Sequence, residues 1–146
     1  MRRVSIIIAV CVVLALGIGI MGQGRDLDTI MKEIGPLWGN PQAPGLNAAI
    51  TSATPDYAKI AADAAKMQAL FTETEAQFTK LKMTAAAAVA KGASDAAGAL
   101  AKEAKAGKIA DGKAAAASIG QCKVCHNPTT GYRESDGAGG FKVKVQ

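Results

Sequence analysis

Apolar residues recur at three-and-four spacing through most of this 146-residue chain, and this period limits the fold more than any other feature. The alternating pattern of β-strands is nearly absent after residue 24, apart from the short segment 141–145. A three-and-four stripe is typical of amphipathic helices that bury one face. We therefore predict an all-α protein whose helices pack as an antiparallel four-helix bundle.

The first two helices are predicted in the N-terminal half of the chain. Apolar positions between Leu27 and Trp38 define the first helix, and the loop 39–45, with two prolines and two glycines, ends it. The second helix is expected to start with Thr54 as its N-cap and Pro55 at its first helical position. The third is expected to start at residue 72.

The start of that third helix is predicted from a capping box. Thr72 precedes Glu75 by three residues, which is the spacing of this motif. The helical period then continues, and two readings stay open for its course. The helix either runs on to about Lys105 or breaks near Gly92 and restarts two residues later.

The first 24 residues have the order of segments found in secretory signals. Arg2 and Arg3 are followed by the apolar run 4–21 and by the small-residue stretch 22–24. An uncleaved membrane anchor is the alternative, because the run is at the lower limit of bilayer-spanning length. Both readings predict export, and we expect the protein in the periplasm. Cleavage after this segment would also remove Cys11.

The segment 25–134 is expected to form the folded domain, followed by a flexible C-terminal tail at 135–146. The whole chain has three Phe, two Tyr and one Trp, and much of its apolar content is alanine, which buries little area per residue. Such a core is thin, so something else must supply apolar mass. The formal net charge of +5, without an arginine-rich stretch, argues against nucleic-acid binding.

One motif carries specific chemistry. Cys122 and Cys125 are followed by His126, the single histidine of the chain, near the end of a fourth predicted helix, Ala114 to His126, which Pro128 ends. On a helix these three side chains share one face within about one turn. Two thiols at this spacing can bond to the two vinyl groups of one haem while the imidazole reaches its iron. The motif therefore predicts one covalently bound haem c, which would also supply the missing core.

Three other interpretations of the motif are open. A structural zinc site needs a fourth ligand, and no other Cys or His follows residue 24. A thioredoxin-like redox pair is expected beside a βαβ pattern, which is missing. A chance match in a structural helix is the third reading. Haem attachment explains the spacing best.

The second iron ligand cannot be histidine, because His126 is the only one. A methionine, another weak ligand or an open position stay as alternatives. Met31 lies on the apolar stripe of the first helix and can face the interior of the bundle. Met67 and Met83 are interpreted as core residues, the usual role of methionine at helical spacing.

Two further segments carry a resemblance to a known family. Residues 105–107 read Lys-Ala-Gly before an alanine-rich helix and the haem motif, and residues 31–35 read Met-Lys-Glu-Ile-Gly. From about Arg25 to Arg133 the chain resembles the class II c-type cytochromes, with only helical pattern between the two ends. This family includes cytochrome c prime and its low-spin, methionine-ligated relatives.

The resemblance implies a four-helix bundle in which the last helix holds the haem against the first. Met31 matches the methionine that faces the iron in low-spin members, and a homodimer through the first two helices is also implied. The family usually has an aromatic residue and an arginine three and four positions after the histidine. Here Tyr132 and Arg133 come later, beyond Pro128. We expect Arg133 near the haem, while its late position argues against a role in gas handling.

Two functions from different classes follow. The first is electron transfer through a haem ligated by His126 and Met31, which we favour. The alternative is a five-coordinate haem that binds NO or CO, with Met31 only packed near the iron. An enzyme is not expected, because no distal acid–base pair is visible. The partner would be a redox protein, with an acidic surface if the nearby basic residues form a docking ring: Lys113, Lys123, Arg133, Lys142 and Lys144.

Overall fold

A computed structural model describes residues 25–40, 42–126, 133–135 and 141–143 of the chain. The described part is mostly helical. Its elements, in chain order, are α1 (Leu27–Trp38), α2 (Leu46–Ile50), α3 (Tyr57–Lys80), α4 (Thr84–Lys105), α5 (Gly112–Ile119), α6 (Cys122–His126), β1 (Arg133–Ser135) and β2 (Phe141–Val143). The predicted signal, residues 1–24, lies outside the described residues. None of the described helices is both long and apolar enough to cross a membrane.

Helix α1 forms where its apolar stripe predicts it. The Asp26 carboxylate caps the helix by accepting a hydrogen bond from the backbone N–H of Thr29 at 2.8 Å. Ile30 and Ile34 are buried one turn apart on the face that meets the core. The N-terminal end of α1 is also tied to α3, because the Arg25 guanidinium donates two hydrogen bonds, each 2.9 Å long, to the carboxylate of Glu73.

Helices α3 and α4 form a closely packed antiparallel hairpin. The turn between them is short and contains Lys82, whose φ of 58° lies in the left-handed region. The two helices can approach closely because α4 presents a row of buried small residues to α3, namely Ala86, Ala90, Ala93, Ser94, Ala97, Gly98, Ala101 and Ala104. This hairpin is the largest helix–helix interface of the described part.

The predicted capping box at Thr72 is wrong, because α3 passes through it without a break. The Thr72 hydroxyl donates a hydrogen bond to the carbonyl of Gln68 at 3.0 Å, and it also lies 2.9 Å from the hydroxyl of Ser94 on α4. The buried residues of α3 keep the helical period on both sides of this point. A continuous apolar face therefore outweighs the local capping pattern.

Two other predicted boundaries also differ from the structure. The second predicted helix begins after Asp56, whose carboxylate accepts a hydrogen bond from the N–H of Lys59 at 3.0 Å, and not at Thr54 and Pro55. The helix expected from Ala114 to His126 is two helices, α5 and α6, interrupted at residues 120–121. Gly92 does not break α4, but the helix predicted from residue 72 to about Lys105 is not continuous either, because the chain turns at residues 81–83 between α3 and α4.

Two features were not expected from the sequence. The loop after α1 leads into the short helix α2, which buries Leu46 and Ile50. Strands β1 and β2 pair antiparallel, with Arg133 opposite Val143 and Ser135 opposite Phe141, so part of the predicted tail has regular structure. The helical fold class is as predicted. Its arrangement as an antiparallel four-helix bundle stays a prediction.

The core consists of two clusters of buried residues. The larger one joins α1, α2, α3, α4 and α5, and its fully buried members include Ile30, Leu46, Ile60 and Met67. The smaller one contains Phe78, Met83, Ala86 and Ala90, and Cys125 packs against it. The predicted motif therefore lies at the end of the hairpin that holds the α3–α4 turn.

Candidate functional site

A cavity of about 210 Å³ lies between α1, the halves of α3 and α4 nearest the turn that joins them, and the segment that carries the cysteine–histidine motif. Its lining residues come from elements far apart in the sequence: Met31, Ile34, Gly35, Trp38, Phe71, Thr74, Phe78, Val89, Ala90, Ala93, Ile119, Gln121, Cys122, Cys125 and His126. The three motif residues and Met31, which the sequence singled out, thus border one cavity. The lining is almost entirely apolar.

The volume of the cavity is smaller than the roughly 300–1,000 Å³ of typical small-molecule sites. The cavity is bordered on one side by His126, whose side chain is exposed, and by the two half-buried cysteines. A group as large as a porphyrin would therefore project partly from the cavity or displace the motif segment outward. Both outcomes keep the group next to Cys122 and Cys125.

Helix α6 presents the motif in a single turn. Cys122 and Cys125 are three residues apart at the start and near the end of this turn, and both thiols are free. Cys125 packs against the Phe78 and Met83 cluster, which holds one side of α6 on the hairpin. His126 is the last residue of α6.

The environment of the two thiols keeps them protonated. Burial raises the pKa of the Cys122 thiol, because the thiolate would lose its hydration. Burial also raises the pKa of the Cys125 thiol, and a negative charge on Cys122 would raise it further. The cysteines are therefore poor nucleophiles at neutral pH in the haem-free chain.

Met31 is half-buried on α1 and borders the same cavity as the motif. Met67 is fully buried in the larger core cluster and does not line the cavity, as predicted for a core residue. Met83 is also buried, but in the smaller cluster against Cys125. Of these three methionines, Met31 alone lines the cavity.

The wall opposite the motif offers few polar groups. Thr74 is a buried residue of this wall, and its hydroxyl donates a hydrogen bond to the carbonyl of Leu70 at 2.9 Å. Because the Thr74 hydroxyl donates its proton to a carbonyl of its own helix, it does not offer that proton to the cavity. Aromatic and aliphatic side chains such as Phe71, Phe78 and Val89 form most of the remaining surface. The cavity suits an apolar group with few hydrogen-bonding requirements.

Sequence reasoning did not find several of these residues. Trp38, Phe71 and Phe78 border the cavity, although the sequence shows only that they are apolar residues at helical spacing. A stripe position identifies a buried face but not the residue on another helix that it meets. Val89 and Ala93 were missed for the same reason.

The other predicted residues are only partly covered by the structure. The backbone of Arg133 belongs to β1 and that of Lys142 to β2, while the side chains of both lie outside the described part. Lys113 is exposed in the first turn of α5. Lys144 lies outside the described residues. A docking ring around the motif therefore stays a prediction.

Known proteins do not settle the family. The chain matched no family model, no curated protein and no solved structure in the three comparisons. Among the described residues, no group of three or more His, Cys, Asp or Glu could hold a metal ion. The resemblance to class II c-type cytochromes therefore rests on the motifs quoted above.

Proposed function

We propose that this chain is an exported monohaem c-type cytochrome that transfers electrons through a haem ligated by His126 and Met31. The supporting observation is that Cys122, Cys125, His126 and Met31 border one cavity with an almost entirely apolar lining. Two thiols for attachment, an imidazole and a thioether for the iron, and an apolar wall for the ring are the groups that such a haem requires. The residues present fit this group.

Each cysteine would tether the group through one thioether bond. The thiols of Cys122 and Cys125 would each add to one vinyl group of the haem, supplying the sulfur of the new carbon–sulfur bond and the hydrogen of the neighbouring carbon. No oxidant is consumed in this addition. Burial raises the pKa of both thiols, so the folded chain does not activate them as thiolates.

The bound group would supply a single iron that is reversibly oxidised and reduced. His126 would donate its neutral ring nitrogen to the metal, and Met31 would donate thioether sulfur, which favours the reduced state and raises the potential. Ile34, Phe71 and Phe78 would exclude water and so limit the solvent rearrangement that accompanies electron transfer. Met31 and Ile34 lie on α1, so the packed helix limits the movement of the distal side.

A five-coordinate protein that binds NO or CO is the second candidate. It is favoured by the almost entirely apolar lining of the cavity, since these small gases need no hydrogen bond to bind. In that case Met31 would only narrow the distal space, and the Thr74 hydroxyl would stay bonded to Leu70. The two candidates differ in one measurable property, which is the occupancy of the sixth iron position.

Location and partners follow from the same proposal. The N-terminal segment 1–24 would direct the chain to the periplasm, where haem attachment of this kind takes place, and would leave it membrane-bound only if uncleaved. The partner would be another redox protein, with an acidic surface if the basic residues near the motif contact it. A homodimer is the further expectation from the family resemblance.

The test is to express the full chain with a c-type maturation system and to measure its intact mass and absorption spectrum. A covalent haem adds its own mass, and a low-spin spectrum that CO does not change would indicate ligation by both His126 and Met31. A high-spin spectrum that responds to CO would favour the gas-binding candidate. The Cys122→Ala, Cys125→Ala chain is the control, and it should carry no covalent haem. A matured chain without added mass would refute both candidates.

A further inference from the structure

The contact between α1 and the break before α6 is unusually close. Gly120 is the C-cap of α5, and its N–H donates a hydrogen bond to the carbonyl of Ala116 at 2.8 Å. A Cβ atom at this position would lie 2.8 Å from that carbonyl oxygen and 2.9 Å from Cζ2 of Trp38. The indole ring of Trp38 therefore occupies the space that any larger residue at 120 would need.

Backbone conformation does not require glycine at this position. The φ of Gly120 is −76° and its ψ is 25°, which residues with a side chain also adopt. Two other glycines provide a comparison, because a Cβ added at Gly35 or Gly92 would meet no atom within 4 Å. The requirement at 120 is thus the close approach of Trp38 and Ala116.

The contact between Trp38 and Gly120 lies between the core and the motif helix α6. On the N-terminal side, Ile119 is 1% exposed and anchors α5 in the larger core cluster. On the C-terminal side, α6 begins only two residues after Gly120. Trp38 also lines the cavity, so the same ring borders both the hinge of the motif segment and the space that the motif faces.

We propose that Trp38 and Gly120 form a positioning pair that sets the direction in which α6 presents Cys122, Cys125 and His126 to the cavity. Trp38 is a positioning residue, since it acts through the backbone at 120. The packing of Cys125 on the Phe78 cluster provides the second fixed point of α6. With α6 held at two points, the imidazole of His126 has a defined angle to any group in the cavity. The inference rests on the proposed function for the identity of that group.

The experiment compares Gly120→Ala with Gly35→Ala in the full chain, before and after maturation with haem. Trp38 is the single tryptophan of the chain, so its fluorescence reports on this contact directly. In the haem-free chain, Gly120→Ala should shift the emission of Trp38 to longer wavelength, because the ring is displaced from Gly120. Gly35→Ala, also at the cavity wall, should leave the emission unchanged.

In the matured chain, Gly120→Ala should lower the amount of covalent haem per chain and change the circular dichroism of the Soret band and the reduction potential. Trp38→Phe replaces the indole by a smaller phenyl ring, which lacks Cζ2, the atom that a Cβ at 120 would meet. The haem content of the double variant, Trp38→Phe with Gly120→Ala, should therefore be closer to that of Trp38→Phe alone than the sum of the two single effects predicts. Ala116 still restricts the site, so compensation should be partial.

Each outcome has a definite meaning. An unchanged emission in Gly120→Ala would overturn the contact itself. A shifted emission with unchanged haem content, Soret band and potential would overturn the positioning role, as would a loss of melting temperature without any change in these three. If no chain takes up haem, the proposed function fails and this role fails with it, while the emission still records the contact.

Discussion

Replacing Met31 by alanine should change the absorption spectrum of the matured protein while lowering its stability only slightly. Met31 is half-buried and borders the cavity, so its truncation should cost only about 1–2 kcal/mol, less than for a fully buried methionine. If its sulfur ligates the iron, the matured variant should change from a low-spin to a high-spin spectrum and should bind CO. The measurements are absorption spectra in both oxidation states, with and without CO.

Met67 provides the matched control. It is 0% exposed in the core and does not line the cavity. Met67→Ala should cost about 2–5 kcal/mol, which corresponds to a melting temperature lowered by about 8–20 °C in a domain of this size. Its spectrum should stay that of the parent protein. Met31→Ala should therefore change the spectrum more than the melting temperature, and Met67→Ala should lower the melting temperature without changing the spectrum.

A Met31→Ala chain that keeps the low-spin spectrum and its insensitivity to CO would contradict ligation by Met31. That result would remove Met31 from the iron, and a change of spectrum in Met67→Ala would mean that the cavity has been wrongly located. A high-spin parent protein would itself exclude ligation by Met31. In that case the five-coordinate candidate is the one to pursue.

Two further predictions concern the fold and the thiols. Gly92→Ala should raise the free energy of unfolding by about 0.5–1 kcal/mol, because Gly92 lies within an unbroken helix and the added Cβ meets no atom within 4 Å. Gly107→Ala should lower the free energy of unfolding, because Gly107 has a φ of 70°. Thermal melts that shift in the same direction for both variants would contradict this prediction. In the haem-free chain, burial raises the pKa of Cys122 and Cys125 above the ordinary value of about 8.5. The stability that the two protonated thiols contribute is therefore fully present below that pH and is lost as the pH rises through the raised pKa values. Alkylation of the folded chain near pH 8 should accordingly be slower than in urea, and equal rates would contradict the raised pKa.

Helical segments could be predicted from the sequence because each depends on the period of its own apolar residues. The stripe from Leu27 to Trp38 sufficed for α1, and the buried face of α3 follows the same rule. Boundaries were less predictable where a local signal competed with that period. Thr72 and Glu75 have the spacing of a capping box, but the stripe continues through them and Thr72 bonds back to Gln68.

The turn between α3 and α4 shows the opposite case. It lacks the glycine or proline that usually marks a chain reversal, and Lys82 instead adopts a left-handed conformation. The hairpin is stabilised by packing between residues distant in sequence, which no local pattern records. The pairing of β1 with β2 was not predicted, because β1 has only three residues and the alternating segment 141–145 is too short to indicate by itself which strand it pairs with.

The candidate site divides in the same way. The sequence indicates that Cys122, Cys125 and His126 lie within one turn, and the structure adds that they border one cavity with Met31, while their role in haem binding stays a prediction. The cavity wall could not be predicted, since it exists only where α1, α3 and α4 meet. Gly120 is the most instructive omission: its requirement comes from a ring 82 positions earlier in the chain, which only the folded structure reveals.

The alanine-rich face of α4 offers a test of the cavity that does not depend on what fills it. Ala93 and Ala97 are 2% and 0% exposed and lie one turn apart, but only Ala93 lines the cavity. Leucine adds three carbon atoms at each position. At 97 they must enter close-packed core, which should cost about 1–3 kcal/mol, whereas at 93 they can extend into the cavity, so the loss for the haem-free chain should be smaller.

The order should reverse for ligand uptake. Ala93→Leu fills space that a bound porphyrin needs, so it should lower the haem content of the matured chain more than Ala97→Leu does, although it disturbs the fold less. Intact mass gives the haem content, and thermal melts of the haem-free chains give the stability. If haem content simply follows stability in the two variants, the space between α1, α3, α4 and α6 is not where the haem binds, and the tether at Cys122 and Cys125 must hold it outside the fold.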